Sequence, residues 1–313
     1  MTSSDPSPTI SPTGEQWAIA HGRQQVIVTE VGATLRSYRV GDDEMLDGFG
    51  ANEWSESGRG QVLAPWPNRL GDGRYEFGGI AAQAPLNEPE LGNAIHGLVR
   101  WLPWRCEVLA QNVMVVRCTI WPTPAYPFLA SLGLEYRLGR EGLAVTATVR
   151  NEGSVALPFG LGFHPYLRVG TDRVDTATLL VPARQRLVLD ARSLPTGEAR
   201  PVGGTEFDFS QGRAIGPTQL DTAYTDLERD GDGVAWASIA DPSGERAVDL
   251  WVDQQFRYLM VYTGDTIGAV DRRRQGLAIE PMTCPPDAFR SGRDLVVLEP
   301  GQEWTAAWGI RPR

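Results

Sequence analysis

Two of the chain's three histidines stand in segments punctuated by Gly and Pro: Asn93-Ala94-Ile95-His96-Gly97 and Gly162-Phe163-His164-Pro165-Tyr166. An imidazole exchanges its proton near neutral pH, so a loop histidine held in one orientation is a candidate general acid or base. Pro165 restricts His164 to extended backbone and fixes where its ring points, and Gly97 lets a second backbone approach beside His96. The competing role for each is structural. Glu280 ends the apolar run Leu277-Ala278-Ile279 and enters a loop stiffened by Pro281, Pro285 and Pro286. A carboxylate at the end of a buried strand is desolvated, which raises its proton affinity toward what a general base needs. Capping of the loop's own amides is the alternative. The third histidine, His21, has no polar companions and reads as a surface or structural residue.

Two weaker segments accompany these. In Trp66-Pro67-Asn68-Arg69-Leu70-Gly71, Arg69 offers a rigid fork of donors suited to an oxygen-rich ligand, next to a large aromatic face; a surface turn with a salt bridge is the simpler account. In Leu220-Asp221-Thr222-Ala223-Tyr224, Asp221 is either a ligand contact or a plain helix N-terminal residue. His96, His164 and Glu280 also match by type a two-histidine, one-carboxylate metal triad, but nothing in their spacing requires one, and we expect no metal.

The elements that must carry these residues are strands. Gln25 to Val40 is rich in β-branched residues and broken at Gly32, which predicts two strands or a bulge. Gly142 to Glu152 places Leu143, Val145 and Ala147 on one face with period two, and Leu250 to Thr263, Leu277 to Glu280, Leu295 to Leu298 and Trp304 to Ile310 continue the pattern. The best helical stretch, Thr218 to Glu228, predicts a turn or two at most. Parallel βα units need helical patterns of about 10–15 residues between strands, and these are missing. The expected fold is therefore all-β, a large antiparallel β-sandwich.

Composition narrows the function. Lys plus Arg number 29 against 39 Asp plus Glu, for a formal charge of −10, and all 29 bases are Arg because the chain has no lysine. Schiff-base chemistry and a lysine general base are thereby excluded. An acidic chain without a clustered basic run is a poor partner for nucleic acid or anionic membrane. The short run Arg272-Arg273-Arg274 reads as a solvated face. Three cysteines point to a reducing, cytoplasmic setting with buried thiols, although Cys106 and Cys118 flank an apparent hairpin. Residues 1–16 form a polar tail that we expect to be disordered, and residues 17–313 one domain.

Taken in order, Pro67 to Phe77 (PNRLGDGRYEF), Pro85 to Trp101 (PLNEPELGNAIHGLVRW), Gly160 to Leu167 (GLGFHPYL), Leu220 to Tyr224 (LDTAY) and Leu277 to Phe289 (LAIEPMTCPPDAF) resemble the aldose 1-epimerase (galactose mutarotase) family. The resemblance runs from about Val31 to the C-terminus. It implies a β-supersandwich and a cofactor-free isomerase that interconverts α and β anomers of a free hexose such as glucose or galactose, as a monomer or homodimer. It assigns Glu280 as general base, His164 as general acid, and His96, Arg69 and Asp221 as groups that hold the sugar, with Asn68 beside them. Trp66, Trp101, Tyr224 and Phe289 are candidates for an aromatic floor under the sugar's apolar face, with core packing the competing role. The segment after His96, Gly-Leu-Val-Arg-Trp, departs from the Gly-Gly pattern of the best-known galactose enzymes and resembles a bacterial branch, which leaves Arg100 as an added sugar contact or a partner for an acid. The rivals are a hexose-6-phosphate 1-epimerase and a non-catalytic carbohydrate-binding protein on the same fold.

Anomer exchange opens the ring to the aldehyde, rotates about C1–C2 and closes on the other face. It needs a base for the C1 hydroxyl and an acid for the ring oxygen, so Glu280 is expected ionised and His164 protonated, each charge favouring the other.

Overall fold

The computed structural model describes residues 10–313. About 48% of the chain is strand and 4% helix, and every strand pair with an assigned register is antiparallel. The only α-helix among the described residues is the single turn Ala288–Ser291. Among those residues, no helix is long and apolar enough to cross a membrane.

Two large sheets carry the fold. A nine-stranded sheet has at its middle the long strands Ala130–Gly139, Gly142–Asn151 and Glu303–Pro312. An eight-stranded sheet runs from Pro195–Pro201 through Ala183–Leu189, Asp221–Leu227 and Tyr258–Tyr262 to Leu277–Met282. On the far side of Leu277–Met282 lie the short strands Gly162–Phe163 and Val62–Leu63, and Tyr166–Leu167 also pairs with it. The sheets pack face to face: Phe163 of the second sits 4.9 Å, centroid to centroid, from Trp308 of the first. Period-two burial is clean where one face meets the core, as in Val113–Ile120, whose residues alternate strictly between half-buried and buried. Leu277–Met282, in contrast, is buried at all six positions, as an interior strand covered on both faces must be.

The strand expectations hold with small boundary changes: Gln25 to Val40 divides into Gln24–Thr29 and Leu35–Val40, and Leu250 to Thr263 falls across Ala247–Val252 and Tyr258–Tyr262. Thr218 to Glu228 is a correction. It forms the strand Asp221–Leu227, not a helical turn, because pairing with strands on both sides and burial of Thr222, Ala223 and Tyr224 outweigh weak local propensity. Asp221 accordingly opens a strand and caps no helix. Cys106 and Cys118 do not face each other: Cys106 is opposite Val116, and all three cysteines are free thiols. Of the expected tail, residues 1–9 lie outside the described residues. Residues 10–16 are held by hydrogen bonds, among them Ser11 Oγ to the Ala51 carbonyl and the Val31 amide to the Thr13 carbonyl, at 3.0 Å each.

Candidate functional site

The register of one strand pair sets the centre of the site. Gly162 pairs with Met282 and Tyr166 pairs with Ala278, both on Leu277–Met282. The residue midway between the first two, His164, must then lie across from the residue midway between the second two, Glu280. Ladder pairing lapses between those points, with Pro165 accepting from the Ile279 amide at 3.3 Å, and the freed His164 side chain turns toward the carboxylate. His164 Nε2 stands 3.4 Å from Glu280 Oε1, with side chains only 6% and 3% exposed. The two-residue period of the strand sends Leu277 and Ile279 into the main core and leaves Glu280 on the opposite face with Met282.

His164 is braced on several sides. Tyr166 stacks on its ring at 5.0 Å and 14°, and the Tyr166 hydroxyl donates to the Ser57 carbonyl at 3.0 Å. Arg59 lies over Tyr166 at 5.2 Å and is held by Asp47 at 3.0 Å. A Cβ placed on Gly58 would stand 2.6 Å from His164 Cδ2 and 2.9 Å from Nε2, so any side chain there must displace the ring. Neither Tyr166 nor Gly58 was singled out by residue chemistry; the Pro-Tyr that follows His164 was the one local signal.

His96 approaches from a separate ribbon, in which Arg69–Gly71 pairs with Asn93–Ile95. Asn68 and His96, which flank this pairing, both adopt left-handed backbone, φ 55° and 67°, and the His96 amide donates to the Asn68 carbonyl at 2.9 Å. Non-glycine residues held there cost about 1–3 kcal/mol each, a strain that clusters at functional sites. Gly97 meets its expectation: a Cβ on it would lie 2.1 Å from the Ala64 carbonyl oxygen. The His96 ring meets the His164 ring edge-on at 5.3 Å and 78°. Arg69 is gripped by Glu88 through two parallel bonds, Nε–Oε2 2.9 Å and Nη2–Oε1 3.0 Å, and reaches Asp221 Oδ2 at 3.6 Å. Asn93 Nδ2 steadies Glu88 at 2.8 Å. Glu88 is thus an orienting group for Arg69 that type and spacing alone did not mark out.

These six residues, Asn68, Arg69, His96, His164, Asp221 and Glu280, line one cavity of about 360 Å³, a size that suits a single small polar ligand. Its rim adds Arg100 and Trp101. Trp66 and Phe289 are corrections: they are 3% and 4% exposed and do not line the cavity. They meet edge-to-face at 5.7 Å, and Phe289 also meets Tyr75 at 4.8 Å; their large apolar faces are used up in the core. Tyr224 is likewise buried, so of the four aromatics named from sequence only Trp101 reaches the cavity. The Arg272 to Arg274 run is no solvated face either: Arg274 is buried and bridges Asp175 and Asp265 at 3.1 and 2.7 Å. Among the described residues, no group of three or more His, Cys, Asp or Glu is arranged to hold a metal ion.

The electrostatics reverse one expectation. Burial drives Glu280 well above the usual carboxylate range, Asp221 adding to the effect and Arg69 opposing it. Burial also lowers His164 and, with the charge of the other groups around it, His96. Desolvation is the largest effect on both groups, so the closed pocket favours neutral imidazole beside neutral carboxyl. That state holds the same single proton as carboxylate beside imidazolium. Glu280 Oε2 and the Nδ1 atoms of His96 and His164 are buried with no hydrogen-bond partner among the described residues, polar atoms whose hydrogen bonds the protein itself does not supply.

Comparison with known proteins identifies the fold and the family together. The profile for aldose 1-epimerase matches residues 15–311. An uncharacterized protein of Escherichia coli, YihR, is 32% identical over 93% of this chain and 91% of its own length. A maltose epimerase of Levilactobacillus brevis is 28% identical over 89% of this chain and 88% of its own. Among solved structures, an aldose epimerase homologue from C. elegans superposes with a TM-score of 0.83 at 19% identity, over 96% of this chain and 98% of that one.

Proposed function

The chain belongs to the aldose 1-epimerase family, and from that premise we propose that it interconverts the α and β anomers of a monosaccharide by acid–base ring opening, with Glu280 as base and His164 as acid. The observation that carries this reading is the 3.4 Å approach of His164 Nε2 to Glu280 Oε1 in the wall of the cavity. The anomeric hydroxyl and the ring oxygen of a pyranose share one carbon, so adjacent oxygens call for adjacent proton-transfer groups.

The cycle balances on these two side chains. Sugar hydroxyls donating to the unpartnered Glu280 Oε2 stabilise the carboxylate and move the shared proton onto His164. Glu280 removes the proton of the C1 hydroxyl while the bond from C1 to the ring oxygen breaks. The electron pair left on the ring oxygen takes the proton of His164. Rotation about C1–C2 presents the other face of the aldehyde, and the same steps in reverse close the ring. Arg69, tied to Glu88 and near Asp221, and His96 hold the hydroxyls through that rotation.

A purely sugar-binding role would leave the buried pair without a purpose, because burying two titratable groups costs stability that a binding module has no reason to spend. A hexose 6-phosphate calls for several arginines converging on a dianion, and Arg272 and Arg274 are already engaged by Asp47, Asp175 and Asp265. The test is anomer exchange followed by NMR. Glu280→Gln should slow it by about 10²- to 10⁴-fold at unchanged fold; an unchanged rate ends the proposal.

A further inference from the structure

Three arginines stand at or behind this site, and two have their charge answered: Arg59 by Asp47, Arg69 by Glu88 and Asp221. Arg100 has not. It projects from the short turn Val99–Trp101 into the same cavity, and among the described residues it makes no ion pair. Its one side-chain hydrogen bond runs from Nη1 to the neutral amide oxygen of Gln61 at 3.3 Å. Its Nε is buried without a partner, and its guanidinium lies against the Trp101 ring at 5.2 Å. A desolvated guanidinium with donors to spare and no counter-ion is an electrostatic vacancy for an anion. Burial alone, with no acid opposing it, lowers Arg100 to about 10.

Its place in the site says where on the sugar that anion sits. Gln61, which holds Arg100, also accepts the His164 amide through its own carbonyl at 3.0 Å, so Arg100 belongs to the His164 side. Arg69 and Asp221 are linked to each other, and their charges act on Glu280, so they belong to the other side. With the C1 hydroxyl on Glu280 and the ring oxygen on His164, the next ring atom toward Arg100 is C5, which carries C6.

We propose that Arg100 is a specificity-determining residue, and that the preferred substrate bears a singly charged oxyanion at C6, such as the carboxylate of a hexuronate. One uncompensated guanidinium balances one negative charge. A phosphate monoester, nearer to a dianion at neutral pH, would leave excess negative charge beside the titrating pair. The proposal deepens the reading of the site given above and rests on it for the orientation of the ring.

Binding is the primary test, because it does not depend on turnover. Affinities of the intact protein for glucose, glucuronate, glucose 6-sulfate and glucose 6-phosphate are measured by calorimetry. Glucuronate or the sulfate ester should bind about ten- to a hundredfold more tightly than glucose, the two monoanions separating planar from tetrahedral recognition. Arg100→Gln should bring that ratio close to one, and Arg100→Lys should restore part of it by supplying charge without the fork. Equal affinity of the native protein for glucose and both monoanions overturns the proposal, as does tightest binding of the phosphate. Loss of all ligands equally in Arg100→Gln, with no recovery in Arg100→Lys, also overturns it and marks Arg100 as scaffolding. Anomer exchange of the same sugars is followed in parallel. Discrimination in binding without exchange refutes the epimerase reading alone, whereas exchange without discrimination refutes this proposal alone.

Discussion

Gly58→Ala is the sharpest probe of how His164 is held. The added methyl would stand 2.6 Å from His164 Cδ2 and 2.9 Å from Nε2, whereas carbon contacts settle near about 3.5 Å. Something must therefore give by roughly 0.9 Å. The ring has little freedom to yield, since Tyr166 stacks on it at 5.0 Å and is tied in turn to Ser57. Position 58 also has φ 79°, where an alanine costs about 1–2 kcal/mol. If the ring moves, Nε2 departs from its 3.4 Å approach to Glu280, and a misplacement of about 1 Å in a proton-transfer group costs on the order of 10²-fold in rate. We expect kcat for anomer exchange to fall by about that factor while the thermal midpoint drops only a few degrees. The assay is NMR exchange at saturating sugar, with a melting curve on the same sample. A folded Gly58→Ala protein that keeps kcat within about twofold would refute the claim that this glycine positions the acid.

The remaining predictions concern the proton and the aromatics. The competent pair holds one proton, so activity is lost in acid when a second proton charges His164 and in alkali when Glu280 loses the last one. Burial lowers His164, so the acid limb of kcat/KM should lie below the ordinary histidine value of about 6.5; an acid limb at that value counts against burial as the governing effect. Asp221 pushes Glu280 up, so Asp221→Asn should shift the alkaline limb to lower pH, whatever it does to the plateau, and an upward or absent shift contradicts the assignment. Phe289→Ala should cost about 3–5 kcal/mol of stability without a selective loss of sugar affinity; a normal denaturation midpoint with weakened binding would return Phe289 to the cavity.

How much of this was readable in advance varied with the physics involved. The all-β class follows from period-two burial and the lack of helical periodicity, both local properties of the chain. Gly97 and Pro165 could be read as devices that constrain His96 and His164 because the requirement lies in the residue type itself. Asp221–Leu227 has an ambiguous local pattern, and its strand state comes from neighbours remote in sequence, Ala183–Leu189 and Tyr258–Tyr262. Trp66 and Phe289 share one difficulty: sequence places an aromatic near a site but does not say which way its ring faces. Tyr166, Gly58 and Glu88 act through contacts with other side chains, and no spacing rule announces those. The charge state of the pair meets a related limit, since attraction between two groups follows from their types but the loss of water around them depends on the whole enclosure.

That enclosure bears on why the pair takes this form. The proposed reaction returns a near-equivalent product and runs from either anomer, so under that reading neither proton-transfer group can be locked in one state. Strong mutual attraction in a wet site would fix carboxylate beside imidazolium, and an empty apolar site would fix both groups neutral. At 3.4 Å, with side chains 6% and 3% exposed, attraction and desolvation act on one shared proton in opposite directions. On the proposed cycle, the hydrogen bonds a sugar brings to Glu280 Oε2 are then enough to decide where that proton sits. Opposing placement by register serves the same end. Because Gly162 and Tyr166 are pinned to Met282 and Ala278, backbone pairing sets His164 opposite Glu280, and on the proposed cycle the aldehyde turns about C1–C2 between two groups that stay in place.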